Sequence, residues 1–373
     1  MRPIKMVDLL GQYQRIKPEV DRAIQQVLEA TEFIQGPQVR EFELALSHFL
    51  DEAHVVSCGN GTDALQIVMM ALELKPGDEV ILPVHTYVAT AEVIALLQLV
   101  PVFAEVNPNS FTLDPSGIEK LITKRTKAIV PVHLYGQCAD MKPILDIATQ
   151  YGLYVIEDGA QSLGADYLSG GKTVKGCTLG TVGTTSFFPS KNLGAFGDGG
   201  AMITRDAKLA ERLRMIANHG QQKKYHHDTI GVNSRLDTLQ AAILQVKLRY
   251  LDEYAAQRRA VADFYDAHLA KVSFLKTPLR TPYSTHVFHQ YTLRVNGINR
   301  DQLKSYLLDK GIPSMIYYPI PLHLQTAYRR EGFGVGSFPV TEELSRTVLS
   351  LPVHTEMDED QLSYICEAIA RFG

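Results

Sequence analysis

The chain is poor in cysteine. Cys58, Cys138, Cys177 and Cys366 are the only four in 373 residues, and they lie far apart with no CxxC pair. That spacing fits neither a disulfide scaffold nor a zinc site. We expect reduced thiols, a cytoplasmic protein and no metal. There is no excess of positive charge either. The net charge of −4 argues against a dedicated nucleic-acid binder. Long apolar runs are also missing. The longest, Val93–Phe103, contains Gln98 and Pro101 and is too short to span a bilayer. The opening "MRPIKMVDLLGQYQRIKPEV" mixes charged and apolar residues too finely for a signal peptide. The sequence shows no repeat and no low-complexity linker.

What is present is a globular α/β pattern. The length suits two domains, or one large domain with an appendage, and 45% hydrophobic residues suffice for a sizeable core. Buried-strand runs occur at 54–58, 78–84, 100–106, 126–134, 152–158 and 183–188. Helical periods at 61–74, 89–99 and 141–152 alternate with them. Such alternation implies a mostly parallel sheet with its ligand at the carboxyl ends of the strands. A seam at 240–260, inside a long helical pattern at 235–265, divides a large domain, 1–250, from a small one, 251–373. Beyond it, strands at 286–296 and 312–320 with helices at 300–311 and 358–372 predict a small α+β domain.

The strand ends carry the chemistry. After "HVVSC" comes "GNGTDAL", where glycines including Gly61 let the backbone approach an anion at a helix N-terminus. A plain turn capped by Asn60 or Thr62 is the alternative. The same motif fits a dinucleotide fingerprint, but the next strand ends "ILPVHTY" without the acid that a nicotinamide site requires. Tyr87, after the next strand, could stack on a flat ring or simply pack. Asp158, in "EDGAQS", could hold a buried cationic nitrogen or cap a helix. Lys191, in "FFPSKNLGAFG", is the only charged residue between Lys175 and Asp198. A lysine in apolar surroundings has a lowered pKa and can act as nucleophile or base; an exposed loop is its more usual place. Together these features are what pyridoxal 5′-phosphate (PLP) needs: a Schiff-base lysine, a pyridinium partner and a phosphate site.

The motifs "GNGTDAL", "EDGAQSLGA", "SFFPSKNLGAFGDGG", "VNSRLDTLQAAIL" and "YYPIPLHLQ" resemble the DegT/DnrJ/EryC1/StrS family of nucleotide-sugar aminotransferases over nearly the whole chain. The resemblance implies a fold-type I PLP aminotransferase. It makes Lys191 the Schiff-base lysine, Asp158 the acid on the pyridine nitrogen and Gln161 the partner of the phenolic oxygen. Tyr87 becomes the stacking ring. Thr62, Asp63 through its backbone, and Ser186 become phosphate contacts. Asn233 would reach the neighbouring subunit's phosphate, which implies a homodimer with shared sites. Many relatives read "EDAAQAHG"; Gly159, Ser162 and Leu163 depart from that pattern, so any role of its histidine is absent here. A sister group of sugar dehydratases carries histidine in place of the lysine, and Lys191 argues against it.

For substrate contacts we single out Lys224 and Arg235 in the basic segment 219–237, and Tyr317, Tyr318 and His323 in "YYPIPLHLQ". The diphosphate or a sugar carboxylate would suit the first pair, sugar hydroxyls the second set. A solvated loop and small-domain packing are the respective alternatives. The resemblance leans toward the branch that aminates C3 of UDP-2-acetamido-3-keto-glucuronic acid, with glutamate as donor. A dTDP-3-keto-6-deoxyhexose 3-aminotransferase is the alternative. A catalytically inactive PLP-fold sensor or scaffold is the reading from another class.

Overall fold

The computed structural model describes residues 2–329 and 332–372. Helices α1 (Leu9–Ala30) and α2 (Pro37–Phe49) open the chain. Strand and helix then alternate through β1 (His54–Cys58), α3 (Gly61–Ala71), β2 (Glu79–Pro83), α4 (Ala89–Leu96), β3 (Val100–Ala104), β4 (Thr126–Ile129), α5 (Met141–Tyr151) and β5 (Tyr154–Asp158). A hairpin of β6 (Asp166–Ser169) and β7 (Lys172–Lys175) precedes β8 (Val182–Ser186), β9 (Gly200–Thr204) and α6 (Ala207–Ala217). An exposed hairpin, β10 (Gln221–Lys223) with β11 (His226–His227), leads into α7 (Thr238–Leu248) and α8 (Leu251–Leu269). The rest comprises β12 (Leu275–Lys276), β13 (Tyr291–Val295), α9 (Arg300–Asp309), α10 (Pro339–Thr347), β14 (Val348–Leu351) and α11 (Glu359–Ala370).

Seven strands form one sheet in the order β1-β9-β8-β5-β4-β2-β3. Pairs from β8 through β3 are parallel, whereas β9 runs antiparallel to both β8 and β1. The strands are buried on both faces because successive side chains point to opposite sides. Val80, Leu82 and Ile156 pack with α3, α4 and α6. Ile81, Ile129 and Val155 pack on the other side with α5. Gly152, in the left-handed conformation at φ 65°, ends α5 as its sequence position predicts.

Three expectations need correction. The run 312–320 is not a strand; it makes a single bridge, Met315 to Ser350. Pro313 and Pro319 remove backbone donors that a ladder would need. Residues 286–290 also stay outside β13, because Phe288 turns at φ 45°. The helical pattern at 235–265 splits at Arg249–Tyr250 into α7 and α8. Helix α8 then passes from one core to another. Leu251 belongs with α2 and α7, whereas Val261, Tyr265 and Leu269 belong with β13, β14 and α11. The N-terminal segment joins this second core through Ile4, and Arg2 pairs with Asp358 at 2.8 Å.

The glycine-rich stretch after Lys191 hides strand β9. A Cβ on Gly200 would lie 2.4 Å from the Asn60 carbonyl, so only glycine lets β9 pass against the turn that starts α3. Gly200→Ala should therefore cost about 2–3 kcal/mol in urea unfolding. Gly117→Ala, where a Cβ meets nothing within 4 Å, should change stability by no more than about 0.5 kcal/mol. Equal effects at the two positions would refute the close-approach argument.

Candidate active site

The carboxyl ends of β1, β2, β5 and β8 deliver the residues singled out above. At the start of α3, Asn60 is the cap: its Oδ1 accepts the Asp63 N–H at 2.8 Å. The Asp63 N–H, expected at the phosphate, is here engaged by Asn60. The Asp63 carboxylate instead accepts from Ser234 Oγ at 2.6 Å, and Ser234 Oγ accepts from the Gly59 N–H at 2.9 Å. The N–H groups of Gly61 and Thr62 have no partner among the described residues. A Cβ on Gly61 would lie 2.8 Å from Ser186 Cβ. Gly61 thus sets the helix N-terminus directly against Ser186 at the end of β8. The pair of unspent donors, the helix dipole and a hydroxyl make a cradle for an anion.

Asp158 ends β5 and is buried. Its Oδ2 accepts from Thr90 Oγ1 at 2.6 Å and its Oδ1 from the Ala160 N–H at 3.2 Å. No regular helix starts there, so the capping alternative fails. Asp158 forms no ion pair among the described residues, and each of its oxygens accepts from one neutral donor, which leaves lone pairs for a cationic ligand atom. Gln161 is gripped at both ends of its amide. Its Oε1 accepts from the Tyr135 N–H at 2.8 Å and its Nε2 donates to the Tyr318 hydroxyl at 3.1 Å.

Tyr87 is 58% exposed, so it does not pack into a core. Its ring stands 6.1 Å from that of Tyr318, which lies 6.2 Å from His85. The Tyr135 hydroxyl donates to the Tyr317 carbonyl. His85 Nε2, 3.2 Å from that hydroxyl, must then be the donor between them. Burial lowers His85 to about 4, so the ring is neutral. Sequence reasoning missed Thr90, His85 and Tyr135. Thr90 carried one signal, a buried polar residue between Ala89 and Ala91 at the start of α4.

Lys191 is half-buried in the loop after β8, and its N–H donates to the Phe188 carbonyl at 2.8 Å. Desolvation lowers its amine to about 8, with Asp158 pulling in the opposite direction. The remaining candidates scatter. Tyr318 lies at the site; Tyr317 packs against the cluster of Val106, Phe111 and Leu134. His323 is a correction. It is wholly buried, with Nε2 3.2 Å from Glu342, and it cannot reach the opening. Glu342 also accepts from the N–H groups of Gly336 and Phe338, so the pair organises the chain before α10. Lys224 is exposed on the β10–β11 hairpin, 5.3 Å from the Tyr225 ring. Arg235 lines a groove of about 1150 Å³ between α2 and α6, with Arg40, Glu43, Lys208 and Arg214. Neither Lys191 nor Asp158 lines it. Asn233 is exposed.

The residues around Lys191 fit PLP: an anion cradle, a desolvated amine, an unpaired carboxylate and an exposed aromatic face. The amine also has a consequence for stability. Lys191 loses its proton near 8 when folded and near 10.5 when unfolded. Between those values the unfolded chain binds more protons, so the cofactor-free protein gains stability as pH rises from 8 to 10.5. Below that window the buried amine costs about 1–3 kcal/mol. Lys191→Met should thus raise the urea midpoint at pH 7 and lose its advantage toward pH ~10.5. A variant no more stable than the parent at pH 7 would mean the amine is solvated.

Comparison with known proteins agrees with this arrangement. The DegT/DnrJ/EryC1/StrS aminotransferase family matches residues 14–370. UDP-2-acetamido-2-deoxy-3-oxo-D-glucuronate aminotransferase of Pseudomonas aeruginosa is 48% identical over 366 residues, covering 98% of this chain and 99% of the relative. The dTDP-3-amino-3,4,6-trideoxy-alpha-D-glucose transaminase of Streptomyces venezuelae is 40% identical, covering 99% of this chain and 96% of the relative. The crystal structure of S. venezuelae DesV in complex with a ketimine intermediate superposes with a TM-score of 0.95 at 40% identity, covering 100% of this chain and 99% of that one. The fold is accordingly that of the PLP aminotransferases, and the chain belongs to the DegT/DnrJ/EryC1/StrS family as a PLP-dependent nucleotide-sugar aminotransferase.

Proposed function

We propose that the enzyme moves an amino group from glutamate to the C3 keto group of UDP-2-acetamido-3-keto-glucuronic acid, for surface polysaccharide or lipopolysaccharide synthesis. The observation that carries the chemistry is the isolated, desolvated amine of Lys191 beside the buried carboxylate of Asp158. The 48% identical Pseudomonas aeruginosa relative supports the choice of sugar. When bound, PLP supplies an electrophilic carbon for amines and a ring that takes up electrons.

The protein's part follows from position. Gly61, Thr62 and Ser186 bind the phosphate with backbone and hydroxyl donors. Asp158, oriented by Thr90, holds a proton on the ring nitrogen. Gln161 directs its second Nε2 hydrogen to the ring oxygen, and Tyr87 covers one ring face. Lys191 Nζ takes the α-proton from the donor amino acid and later returns a proton to the sugar carbon.

We infer a homodimer that completes each site. Phe188 and Phe196 in the loop that carries Lys191, and Tyr225 and Ile230 in and just after the β10–β11 hairpin, are exposed apolar side chains, and a second copy would cover them. Asn233 would reach the partner's phosphate cradle. Lys224 and Arg235 would meet the sugar diphosphate or carboxylate, and Tyr317 and Tyr318 the sugar. All four cysteines are buried and unpaired, which suits a reducing cytoplasm.

The S. venezuelae relative favours the second reading, a dTDP-3-keto-6-deoxyhexose. Assay of both keto sugars with glutamate separates them: kcat/KM should be at least about tenfold higher for the UDP-uronate. A reversed ratio would transfer the assignment to the dTDP sugar. Borohydride should fix the cofactor on Lys191, and Lys191→Ala should abolish turnover. Normal transamination by that variant would remove Lys191 from the mechanism, and no half-reaction with glutamate in the parent would favour a sensor or scaffold.

A further inference from the structure

Lys247 is an unusual core residue. It lies on α7, is 2% exposed and has no acidic partner among the described ion pairs. Burying an amine is costly, and methionine would fill similar volume without that cost. What the amine adds is a donor. Its Nζ donates to the carbonyl of Gly194, three residues beyond Lys191, and it sits 5.4 Å from the Phe196 ring centroid.

Gln240 stands seven residues earlier, two turns along the same face of α7. Its Oε1 accepts the Phe196 N–H at 2.8 Å. The loop is closed at its base by Ala195 N–H to the Phe187 carbonyl at 2.7 Å. On the far side, Asn192 Nδ2 donates to the Val287 carbonyl at 3.0 Å. Without the two clamps from α7, nothing among these bonds would hold the Gly194 carbonyl or the Phe196 amide.

We propose that the face of α7 bearing Gln240 and Lys247 is a positioning element: it pins residues 194–196 and thereby keeps the Lys191 amine turned inward and out of water. The proposal rests on Lys191 being the reactive amine, but its mechanism is mechanical. Lys247 and Gln240 need not touch substrate or cofactor.

The test uses full-length cofactor-free protein. Trace labelling of Lys191 with acetic anhydride, read by mass spectrometry across pH, gives the amine's midpoint. Amide hydrogen exchange over residues 191–196 reports the loop. The charged or titratable groups facing Lys191 are Asp158, His289, Arg258, Asp8 and His354; none is altered in the variants. In Lys247→Met the midpoint should rise by about 1 pH unit toward the ordinary lysine value, and exchange should quicken about tenfold. Lys247→Arg keeps a donor and should hold the midpoint within about 0.3 units of the parent. A merely structural role would lower overall stability yet leave both readings unmoved in the folded protein, and that result overturns the proposal. If Lys247→Met does not fold, Gln240→Leu, which removes the other clamp, is read by the same two criteria. Borohydride fixation in the parent reports separately on whether Lys191 carries the cofactor, so failure of that reading is distinguishable.

Discussion

Everything at the site depends on one constraint: an amine and a carboxylate must be held near each other in poor solvent without collapsing into a saturated ion pair. The parallel sheet meets it by bringing the ends of β5 and β8 to the same edge. Asp158 arrives on β5, and Lys191 on the loop five residues after β8 ends at Ser186. Thr90 donates to one carboxylate oxygen and the Ala160 N–H to the other, so neutral donors orient Asp158 without an ion pair among the described residues. Desolvation lowers the amine and Asp158 raises it, with desolvation the larger. The balance leaves Lys191 able to gain and lose a proton near neutral pH, which a general acid–base group requires.

The neighbouring acid shows how the strand keeps its two carboxylates apart. Adjacent residues in a strand face opposite ways. Asp158 faces the site; Glu157 faces the interior. Glu157 is fully buried and accepts from the N–H groups of Cys177, Leu179 and Gly180 and from His133 Nε2. His133 Nδ1 in turn accepts the Ala139 N–H, which fixes the neutral tautomer. Four donors satisfy this acid, so it anchors the end of β5 and has nothing left for a ligand. Identical chemistry two atoms of backbone away thus serves structure in one case and function in the other.

Sequence pattern made β1, α3, α5 and the strand ends legible because they rest on local periodicity and turn chemistry. Lys191 and Asp158 stood out because each breaks an apolar context. Other features depend on distant partners and left little trace. Gly200 reads as part of a loop until Asn60 is placed beside it. The capping of the Asp63 amide by Asn60 is visible only once the turn is built. His323 looks like a sugar ligand, since its motif gives residue type but not direction; Glu342, nineteen residues on, turns it inward. The pairing of β14 with β13 lies beyond local pattern for the same reason.

The core formed by α8, β13, β14 and α11 is coupled to the site through two left-handed, non-glycine residues, Tyr135 at φ 61° and Phe288 at φ 45°. For bulky side chains this conformation costs of order 1–3 kcal/mol each and persists only where neighbours over-determine it. Here they do. Val287 N–H donates to Gly136 and Gln290 N–H to Tyr135, at 2.8 and 3.1 Å. Tyr135 passes this on, its amide to Gln161 and its hydroxyl to the Tyr317 carbonyl. Arg258 of α8 grips the Phe288 and Val353 carbonyls from behind, at 3.2 and 2.8 Å. The orientation of Gln161 is therefore set by Tyr135 and, through it, by the segment 287–290. A helix swap or loop graft that kept Lys191 and Asp158 but relaxed Tyr135 would preserve the reactive pair and lose the geometry around it.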